Sequence, residues 1–328
     1  MLRTANTKRP TGVEDLLDAQ LIARLGQLDL TSRKIFAGKL RGERRSKKRG
    51  ESVEFADHRP YVSGDDLRHV DWNVYARLDQ LFLKLFLEEE DLSLHLVIDC
   101  SESHDFGEPN KFLFAQRLAM SLAYIGLVNL NRVAITAIGG ELLTAAAVGG
   151  GTARRTDDDA ISVHALRDLR GRRRTADAAR FLCSLTPGES APFGEACKRI
   201  ALSRRGRGVM VVISDFLIKE GYEDGLRLLV GRGYDVFCMQ VLSPQEVDPE
   251  RESSFRGDLR LRDGEDLDRA EITVSGPLLK KYRETVGAYC DALRMFCAQR
   301  QMMCLSVQSD TPIDVLMLDY LRRRGLLR

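Results

Sequence analysis

The sequence has few of the residues that build disulfide frameworks or metal-thiolate sites, and it has no long apolar run. Seven cysteines occur in 328 residues, an odd number without any Cys-x-x-Cys pair, so neither a disulfide framework nor a zinc site is indicated. Nowhere do about 18 apolar residues follow one another, and the first residues lack the apolar stretch of a signal peptide. We therefore expect a protein of the reduced cytoplasm with no membrane span.

An excess of one charge and the familiar catalytic patterns are also missing. The 50 Lys and Arg residues nearly balance the 48 Asp and Glu residues, and the net charge of +2 sets up no overall field that would attract nucleic acid. The five histidines form no legible Ser-His-Asp or His-Glu-x-x-His pattern. Gly149-Gly150-Gly151 is not followed by Gly-Lys-Ser or Gly-Lys-Thr, so a nucleotide-phosphate loop is not supported. Catalysis therefore has little support from the sequence.

One local run departs from the charge balance. Residues 33–49 hold nine Lys or Arg side chains against one acid. Such a run is typical of a contact with nucleic acid or a membrane surface, or of a flexible solvated linker. Residues 41–49 contain no aromatic side chain that could stack on bases, and this favours the linker.

An Asp-x-Ser-x-Ser loop, Asp99 to Ser103, follows a continuous apolar run over residues 92–98. The run is too continuous for a strand with one wet face, so it predicts a strand covered on both faces, as in a parallel sheet. Ligands of such sheets bind beyond the carboxyl ends of the strands, where this loop would lie. The Asp99 carboxylate and the hydroxyls of Ser101 and Ser103 can direct three hard oxygens at one point, which suits Mg²⁺. The alternative is that the two serines only cap the helix that begins near Asn110.

A second strand-end aspartate, Asp215, follows the apolar run over residues 208–214. Two aspartates at the ends of parallel strands can face each other across one crevice. Together with the two serines, this pair resembles the metal-ion-dependent adhesion site of von Willebrand factor A domains. The resemblance implies that Asp99, Ser101, Ser103, Asp215 and one threonine hold Mg²⁺ or Mn²⁺. It also implies that an acidic side chain of a partner fills one open coordination position.

Two threonines compete for the remaining ligand position. Thr175 opens a predicted helical stretch, where the adhesion-site family places its threonine, and Thr152 follows Gly150-Gly151. His104 stands where that family usually has a methionine after the second serine, and this change leaves the ligands intact. Because a partner carboxylate is needed to complete the coordination shell, we expect weak affinity for the metal alone.

A segment upstream of the loop resembles the signature of the bacterial family called domain of unknown function 58. All the elements of that signature are present in order, and the resemblance runs from about Leu28 to the C-terminus. It implies a von Willebrand A-like core, a MoxR-type AAA+ ATPase as partner together with an unknown client protein, and no established enzymatic activity. The matching elements are Glu54-Phe55, Arg59-Pro60-Tyr61, Gly64-Asp65-Asp66-Leu67-Arg68, Asp71-Trp72 and Ala76-Arg77.

The same segment has two physical interpretations. Trp, Tyr and Arg are enriched at interface hot spots, so the segment could be a docking face for a partner. The alternative is a structural clamp, in which Arg68 or Arg77 pairs with Asp65, Asp66 or Asp71 and the only tryptophan packs on the sheet. The candidate partner-binding residues are Arg59, Tyr61, Asp65, Asp66, Arg68, Asp71, Trp72 and Arg77.

The order of predicted elements favours an α/β fold with a doubly wound, mostly parallel sheet of the von Willebrand A-like, Rossmann type. Residues 1–91 are predicted to hold an amphipathic helix over 13–28, the basic run and the signature segment. Residues 92–328 are predicted to form the core domain, with a β-hairpin inserted at about 258–275. Residues 149–174 are predicted to be a loop rich in glycine and arginine. Cys290, Cys297 and Cys304 recur every seven residues, and we expect them to be buried in the core.

Three functions are consistent with these residues. The main hypothesis is a non-enzymatic protein-binding module that depends on a divalent metal and serves as an adaptor for a MoxR-type ATPase. The second keeps the fold without the metal and docks through the segment from Gly64 to Arg77. The third is a metal-dependent hydrolase in which His104 and Asp105 activate water beside the metal.

Overall fold

The structure, a computed structural model, describes residues 9–31, 55–63, 65, 67, 70–86, 92–143, 161–203, 208–251, 257–262 and 269–328. The basic run over 33–49 and three of the candidate residues, Asp66, Arg68 and Thr152, lie outside this part of the chain.

The strands and helices alternate along most of the described chain. The strands are β1 (Phe55–Pro60), β2 (Phe82–Phe86), β3 (Ser93–Asp99), β4 (Arg132–Ile138), β5 (Glu141–Leu142), β6 (Val163–Leu169), β7 (Leu185–Thr186), β8 (Gly208–Ser214), β9 (Asp235–Leu242), β10 (Gly257–Arg262), β11 (Arg269–Val274) and β12 (Met303–Gln308). The α-helices are α1 (Val13–Leu16), α2 (Ala19–Leu25), α3 (Trp72–Leu78), α4 (Lys111–Val128), α5 (Thr175–Ser184), α6 (Phe193–Ser203), α7 (Glu223–Gly231), α8 (Pro244–Val247), α9 (Gly276–Gln299), α10 (Ile313–Val315) and α11 (Leu321–Arg323).

Six strands form the central sheet in the order β12-β9-β8-β3-β4-β6. The first five are parallel, and β6 runs antiparallel to β4 at the edge. Neighbouring residues of β3 enter different cores: Leu96 and Ile98 belong to one buried cluster and Val97 to the other. Because successive strand residues point to opposite faces, the sheet is covered on both sides. The predicted doubly wound α/β fold is confirmed.

Helix α4 packs against the middle of this sheet. Gly126 lets it come close, since a Cβ there would lie 2.8 Å from a methyl group of Val133 on β4. The helix is long and apolar enough to cross a membrane by length and composition, yet 83% of it is buried inside the protein. Such burial is what the core helix of a folded domain shows.

The N-terminal leucines are buried as expected, but one continuous helix over 13–28 is not found. The chain forms α1 and α2, separated at Leu17 and Asp18. Asp18 has an extended backbone, and its carboxylate accepts a hydrogen bond from the N–H of Leu21 at 2.6 Å, so it begins a second helix. Leu16 and Leu25 are both fully buried in the larger core cluster. Apolar spacing identified the buried face, whereas the capping aspartate broke the helix.

The segment predicted as a loop over 149–174 contains the edge strand β6. Its register pairs Ile138 with Val163 and Val133 with Leu169. The chain therefore leaves β6 beside the start of β4, at the edge of the sheet where the parallel strands begin. This direction decides where the next helix, α5, starts.

The chain divides into two compact units, one of Met1–Lys39 with Leu92–Arg328 and the other of Leu40–Asp91. In the second unit, β1 and β2 pair antiparallel and α3 lies between them in sequence. In the first unit, β10 and β11 pair antiparallel over the range predicted for the inserted hairpin. Of the three evenly spaced cysteines, Cys297 is buried, while Cys290 and Cys304 are half-buried.

Candidate functional site

The loop after β3 and the end of β8 meet at the carboxyl edge of the sheet. These strands are adjacent and parallel, and their register pairs Ile98 with Ile213. One oxygen of the Asp99 carboxylate therefore accepts a hydrogen bond from the Ser214 hydroxyl at 2.7 Å. The other accepts one from the backbone N–H of Ser101 at 3.0 Å. Asp99 is thus held at the start of the loop, with 13% of its side chain exposed.

The two loop serines converge on the buried ring of His104. The hydroxyls of Ser101 and Ser103 lie 3.0 Å apart, and Nδ1 of His104 is 3.0 Å from the Ser101 oxygen. On the other side of the ring, the backbone N–H of Asp215 donates to Nε2 at 3.1 Å. A backbone N–H is only a donor, so Nε2 carries no proton and the neutral ring carries its proton on Nδ1. Nδ1–H then donates to Ser101. The His104 ring therefore connects the loop after β3, which contains Ser101, to the loop after β8, which begins at Asp215.

Asp99, His104 and Asp215 bring their ligand atoms within 4.8 Å of one another. Ligands on opposite sides of a Mg²⁺ ion lie about 4.2 Å apart and those of Ca²⁺ about 4.8 Å, given the usual bond lengths. The group therefore has the size of one cation's coordination shell. Each ring nitrogen of His104 has one hydrogen-bonding position, and both are used, whereas a carboxylate or hydroxyl oxygen keeps a second lone pair; the candidate metal donors are therefore oxygens of Asp99, Ser101, Ser103 and Asp215. Hard oxygens of this kind are the ligands that Mg²⁺ and Mn²⁺ prefer.

Asp215 is also the partner of a buried lysine. Nζ of Lys111, whose side chain is fully buried at the first residue of α4, lies 2.9 Å from Asp215 Oδ2 and 2.6 Å from Glu246 Oε1. Burial by itself would raise the pKa of the Asp215 carboxyl, but the Lys111 ammonium, the His104 ring and the N–H of Leu217 together outweigh burial and lower this pKa to about 2. Burial likewise opposes the charge on Lys111, and Asp215 and Glu246 together raise the pKa of its ammonium. Asp215 and Lys111 are therefore both charged at neutral pH.

The backbone after Asp215 is bent and firmly held. Phe216 has a φ of 58°, the left-handed region that a bulky side chain rarely adopts. The bend lets the N–H of Leu217 donate to Asp215 Oδ1 at 3.0 Å. The phenol of Tyr289 on α9 donates to the carbonyl of Phe216 at 2.7 Å. Both carboxylate oxygens of Asp215 are thus already hydrogen-bonded within the protein.

Thr175 does not join this group. It follows β6 at the opposite edge of the sheet, and its hydroxyl donates to the carbonyl of Arg172 at 2.7 Å. The segment that reaches the site lies at the other end of α5, where Gly188 bridges to Ser101 and donates its N–H to the carbonyl of Cys100 at 3.0 Å. The prediction of Thr175 as a ligand is corrected by the antiparallel direction of β6, which sequence reasoning treated as loop.

Sequence reasoning also missed Lys111 and Glu246. Lys111 reads as a polar residue at the start of an apolar helix, and Glu246 reads as the acid of a capping box, a role that it does fill with Ser243. Lys111 joins Asp215, 104 positions away along the chain, to Glu246, 135 positions away, so no local pattern could have revealed these contacts. Only a charged residue at the buried end of a core helix was a usable signal.

In the second unit, the acids of the signature segment hold the structure together. Asp71 caps α3 by accepting the N–H groups of Asn73 and Val74, and its other oxygen lies 2.9 Å from Nε2 of His58. Arg59 donates to Asp65 at 2.8 Å, and this contact lowers the pKa of the Asp65 carboxyl. Asp65 and Asp71 thus have structural partners, but these are Arg59 and His58, not the Arg68 or Arg77 of the clamp interpretation.

The apolar residues of α3 point outward instead. Trp72 is 60% exposed and Leu78 is also 60% exposed, while Tyr75 packs edge-to-face on Trp72. Arg77, on the same helix, is exposed, and Tyr61 is half-buried. The tryptophan therefore does not fill the role that the clamp interpretation gave it. We call the exposed residues Trp72, Tyr75 and Leu78 the α3 surface.

The family described as "Protein of unknown function DUF58" matches residues 57–288 of the chain. Two mycobacterial relatives, the uncharacterized proteins Rv1480 of Mycobacterium tuberculosis and Mb1516 of Mycobacterium bovis, are each 27% identical over 321 residues. The matched region covers 95% of this chain and 93% of each relative. Among solved structures, the pilus adhesin SpaC from Lactobacillus rhamnosus GG, in its open conformation, has a TM-score of 0.41 and 10% sequence identity. That match covers 73% of this chain and 30% of the adhesin, so the chain spans less than a third of the adhesin's length.

Proposed function

The chain belongs to the DUF58 family, and from that premise we propose that it is a non-enzymatic protein-binding module whose binding site requires a divalent cation. The observation that carries the proposal is that carboxylate oxygens of Asp99 and Asp215 lie within 4.8 Å of each other at the carboxyl edge of the sheet, while the Asp99 loop also holds the paired hydroxyls of Ser101 and Ser103. Two of these side chains are carboxylates and two are hydroxyls, which is the donor set of a Mg²⁺ or Mn²⁺ site that keeps positions open for water or for a partner.

Different residues would have different roles in such a site. Asp99 and the two serines would hold the cation, and Asp215 would contribute through an oxygen lone pair that its present hydrogen bonds leave available. A bound cation would supply a positive centre for an acidic side chain of a partner. A carboxylate that binds in this way makes a charge-assisted contact that exists only while the metal is present.

The hydrolase alternative is disfavoured by the state of His104. A general base needs a free ring nitrogen within reach of a water, and here Nε2 already accepts the N–H of Asp215 while Nδ1 bonds Ser101. The ring is also fully buried. Taking a proton from water would break one of the contacts that hold the two loops together, so a positioning role fits the ring better than a catalytic one.

The proposed partner is a MoxR-type AAA+ ATPase, with a client protein of unknown identity. The metal site and the α3 surface are two separate candidate contacts. An exposed Trp-Tyr pair beside exposed leucine is typical of the anchors that dominate interface energies. A contact through the α3 surface would not depend on metal, so the two surfaces can be separated by chelation.

The test measures binding of a MoxR-type ATPase from the same organism to the full chain, with Mg²⁺ and with excess EDTA. We expect binding to the wild type to fall at least tenfold in EDTA. Asp99→Ala should bind in Mg²⁺ as weakly as the wild type binds in EDTA. Asp291→Ala, which removes an exposed carboxylate on α9 that pairs with Arg294, is the charge-matched control and should behave as wild type.

Two outcomes separate the proposal from a metal-free docking scaffold. Equal binding by wild type and Asp99→Ala, with and without EDTA, would remove the metal from recognition. If Trp72→Ala then abolished binding, the scaffold that docks through the α3 surface would be the correct function.

A further inference from the structure

Lys111 occupies an unusual place beside the proposed cation site. It is the first residue of α4, its side chain is fully buried, and its ammonium contacts two carboxylates, that of Asp215 after β8 and that of Glu246 on α8. Burying a lysine is costly unless the charge is paired, and here it is paired twice. The chain thus carries a positive charge of its own within 3 Å of the carboxylate that a divalent cation would need.

Each carboxylate oxygen of Asp215 already accepts one hydrogen bond. Oδ1 accepts the N–H of Leu217 at 3.0 Å, and Oδ2 accepts Lys111 at 2.9 Å. A carboxylate oxygen offers two lone-pair sites, so one site on each remains. A divalent cation that used Oδ2 would share this oxygen with the ammonium, and the two positive charges would repel each other across it.

From this geometry we infer that Lys111 is a built-in competitor of the divalent cation for Asp215, and that it sets how tightly the site binds metal. The inference rests on the proposed function for the identity of the cation. Lys111 neutralises Asp215 when no metal is bound, which keeps the second loop in place. The same contact weakens the hold of Asp215 on a metal, so the cation depends mainly on Asp99, Ser101 and Ser103 until a partner carboxylate completes the shell.

Glu246 modulates this competition. Its Oε1 accepts a hydrogen bond from Lys111 at 2.6 Å, and its second oxygen accepts the N–H of Ser243 at 2.7 Å within the capping box of α8. Glu246 therefore takes up part of the positive charge of the ammonium. Without this carboxylate, Lys111 would pair with Asp215 alone and would oppose the divalent cation more strongly.

The experiment measures Mn²⁺ binding to the full chain by the loss of the free Mn²⁺ electron paramagnetic resonance signal. The main variant is Lys111→Met combined with Glu246→Gln, which removes one positive and one negative charge and frees Asp215 while the net charge is kept. We expect this double variant to bind Mn²⁺ at least tenfold more tightly than wild type. Glu246→Gln alone should bind several-fold more weakly, and Asp99→Ala in either background should abolish binding.

The possible results distinguish failure of the inference about Lys111 from failure of the proposed function. If the double variant is folded by circular dichroism and binds Mn²⁺ no more tightly than wild type, the inference about Lys111 is wrong, while Mn²⁺ binding by wild type would leave the proposed function in place. If the double variant binds and wild type does not, the inference about Lys111 stands and the metal dependence of the natural protein falls. If the double variant does not fold, tighter or unchanged binding by Glu246→Gln alone overturns the inference, and weaker binding supports it.

Discussion

At the scale of single residues, the site depends on which atoms carry protons. His104 joins two loops through one donor and one acceptor, and only the tautomer protonated at Nδ1 makes both contacts. The ring thereby couples the position of Ser101 to the backbone of Asp215. The buried Lys111 couples Asp215 to a third loop in the same way.

The state of His104 is directly measurable. In a ¹⁵N correlation spectrum of the histidine rings at neutral pH, we expect His104 to show a protonated Nδ1 and an unprotonated Nε2. His104→Leu should lower the free energy of unfolding by about 2 to 4 kcal/mol, because it leaves two buried groups, the Ser101 hydroxyl and the Asp215 N–H, without this partner. A protonated Nε2 in the spectrum would contradict the assignment, and His58 and His164 in the same spectrum serve as internal references.

Asp215 should make the free energy of unfolding depend on pH in the acid range. Its pKa is lowered from the ordinary value of 3.8 to about 2 in the folded protein. The unfolded chain therefore binds a proton first as the pH falls, and the stabilising contribution is fully present above about pH 4 and is lost as the pH drops through 2. The size is on the order of 2 kcal/mol. Urea unfolding of wild type should lose this amount between pH 5 and pH 2 beyond the loss in Asp215→Asn; an equal loss in both would contradict it.

At the scale of elements, neighbouring residues at the start of helix α3 have different roles: one stabilises the helix, and the next is exposed to a possible partner. Its N-cap, Asp71, accepts two backbone N–H groups and contacts His58, whereas its first residue, Trp72, is largely exposed. The same signature therefore holds a residue that supports the fold of its unit and one that faces outward.

This division predicts opposite effects for neighbouring substitutions. Asp71→Ala should destabilise the unit of α3 by about 1 to 2 kcal/mol, the usual cost of losing a helix cap. Trp72→Ala should change stability by less than about 0.5 kcal/mol, as exposed substitutions do, yet weaken ATPase binding. Chemical unfolding and binding assays on both variants test this. Strong destabilisation by Trp72→Ala would show that the ring packs on the protein instead of serving a partner.

At the scale of the whole molecule, the cation site joins parts of the chain that are distant in sequence. The ligand candidates come from the ends of β3 and β8, and the buried lysine from α4, so metal binding should stabilise the folded state as a unit. A ligand bound only by the folded protein, at about 100 times its dissociation constant, adds about 2.7 kcal/mol of stability.

Thermal unfolding with Mn²⁺ measures this linkage. We expect the melting temperature of wild type to rise with Mn²⁺ and that of Asp99→Ala and Ser101→Ala to stay constant. Thr175→Ala, which removes a hydroxyl at the opposite edge of the sheet, should keep the full rise. Loss of the rise in Thr175→Ala would place this threonine in the site after all.

The sequence by itself determined the central strands of the sheet and the edge at which the candidate ligands lie. Continuous apolar runs identified β3 and β8 as strands buried on both faces, and the rule that ligands gather at the carboxyl ends of parallel strands then placed Asp99, Ser101 and Asp215 together. These inferences depend on local patterns, since burial on both faces favours apolar residues along most of a strand, and β3 accommodates the one buried polar ring of His95 by a hydrogen bond to Thr136.

Only the tertiary structure decided which other residues reach that edge. The direction of β6 moved Thr175 to the opposite edge, because an edge strand within an arginine-rich segment lacks the apolar run that marks a buried strand. The approach of α4 to β8 brought Lys111 to Asp215, and the loop after β9 brought Glu246. Contacts between residues 104 and 135 positions apart depend on how helices pack on the sheet, and no spacing along the chain encodes them. Sequence thus located the carboxylates, and three-dimensional packing determined the charge that faces them.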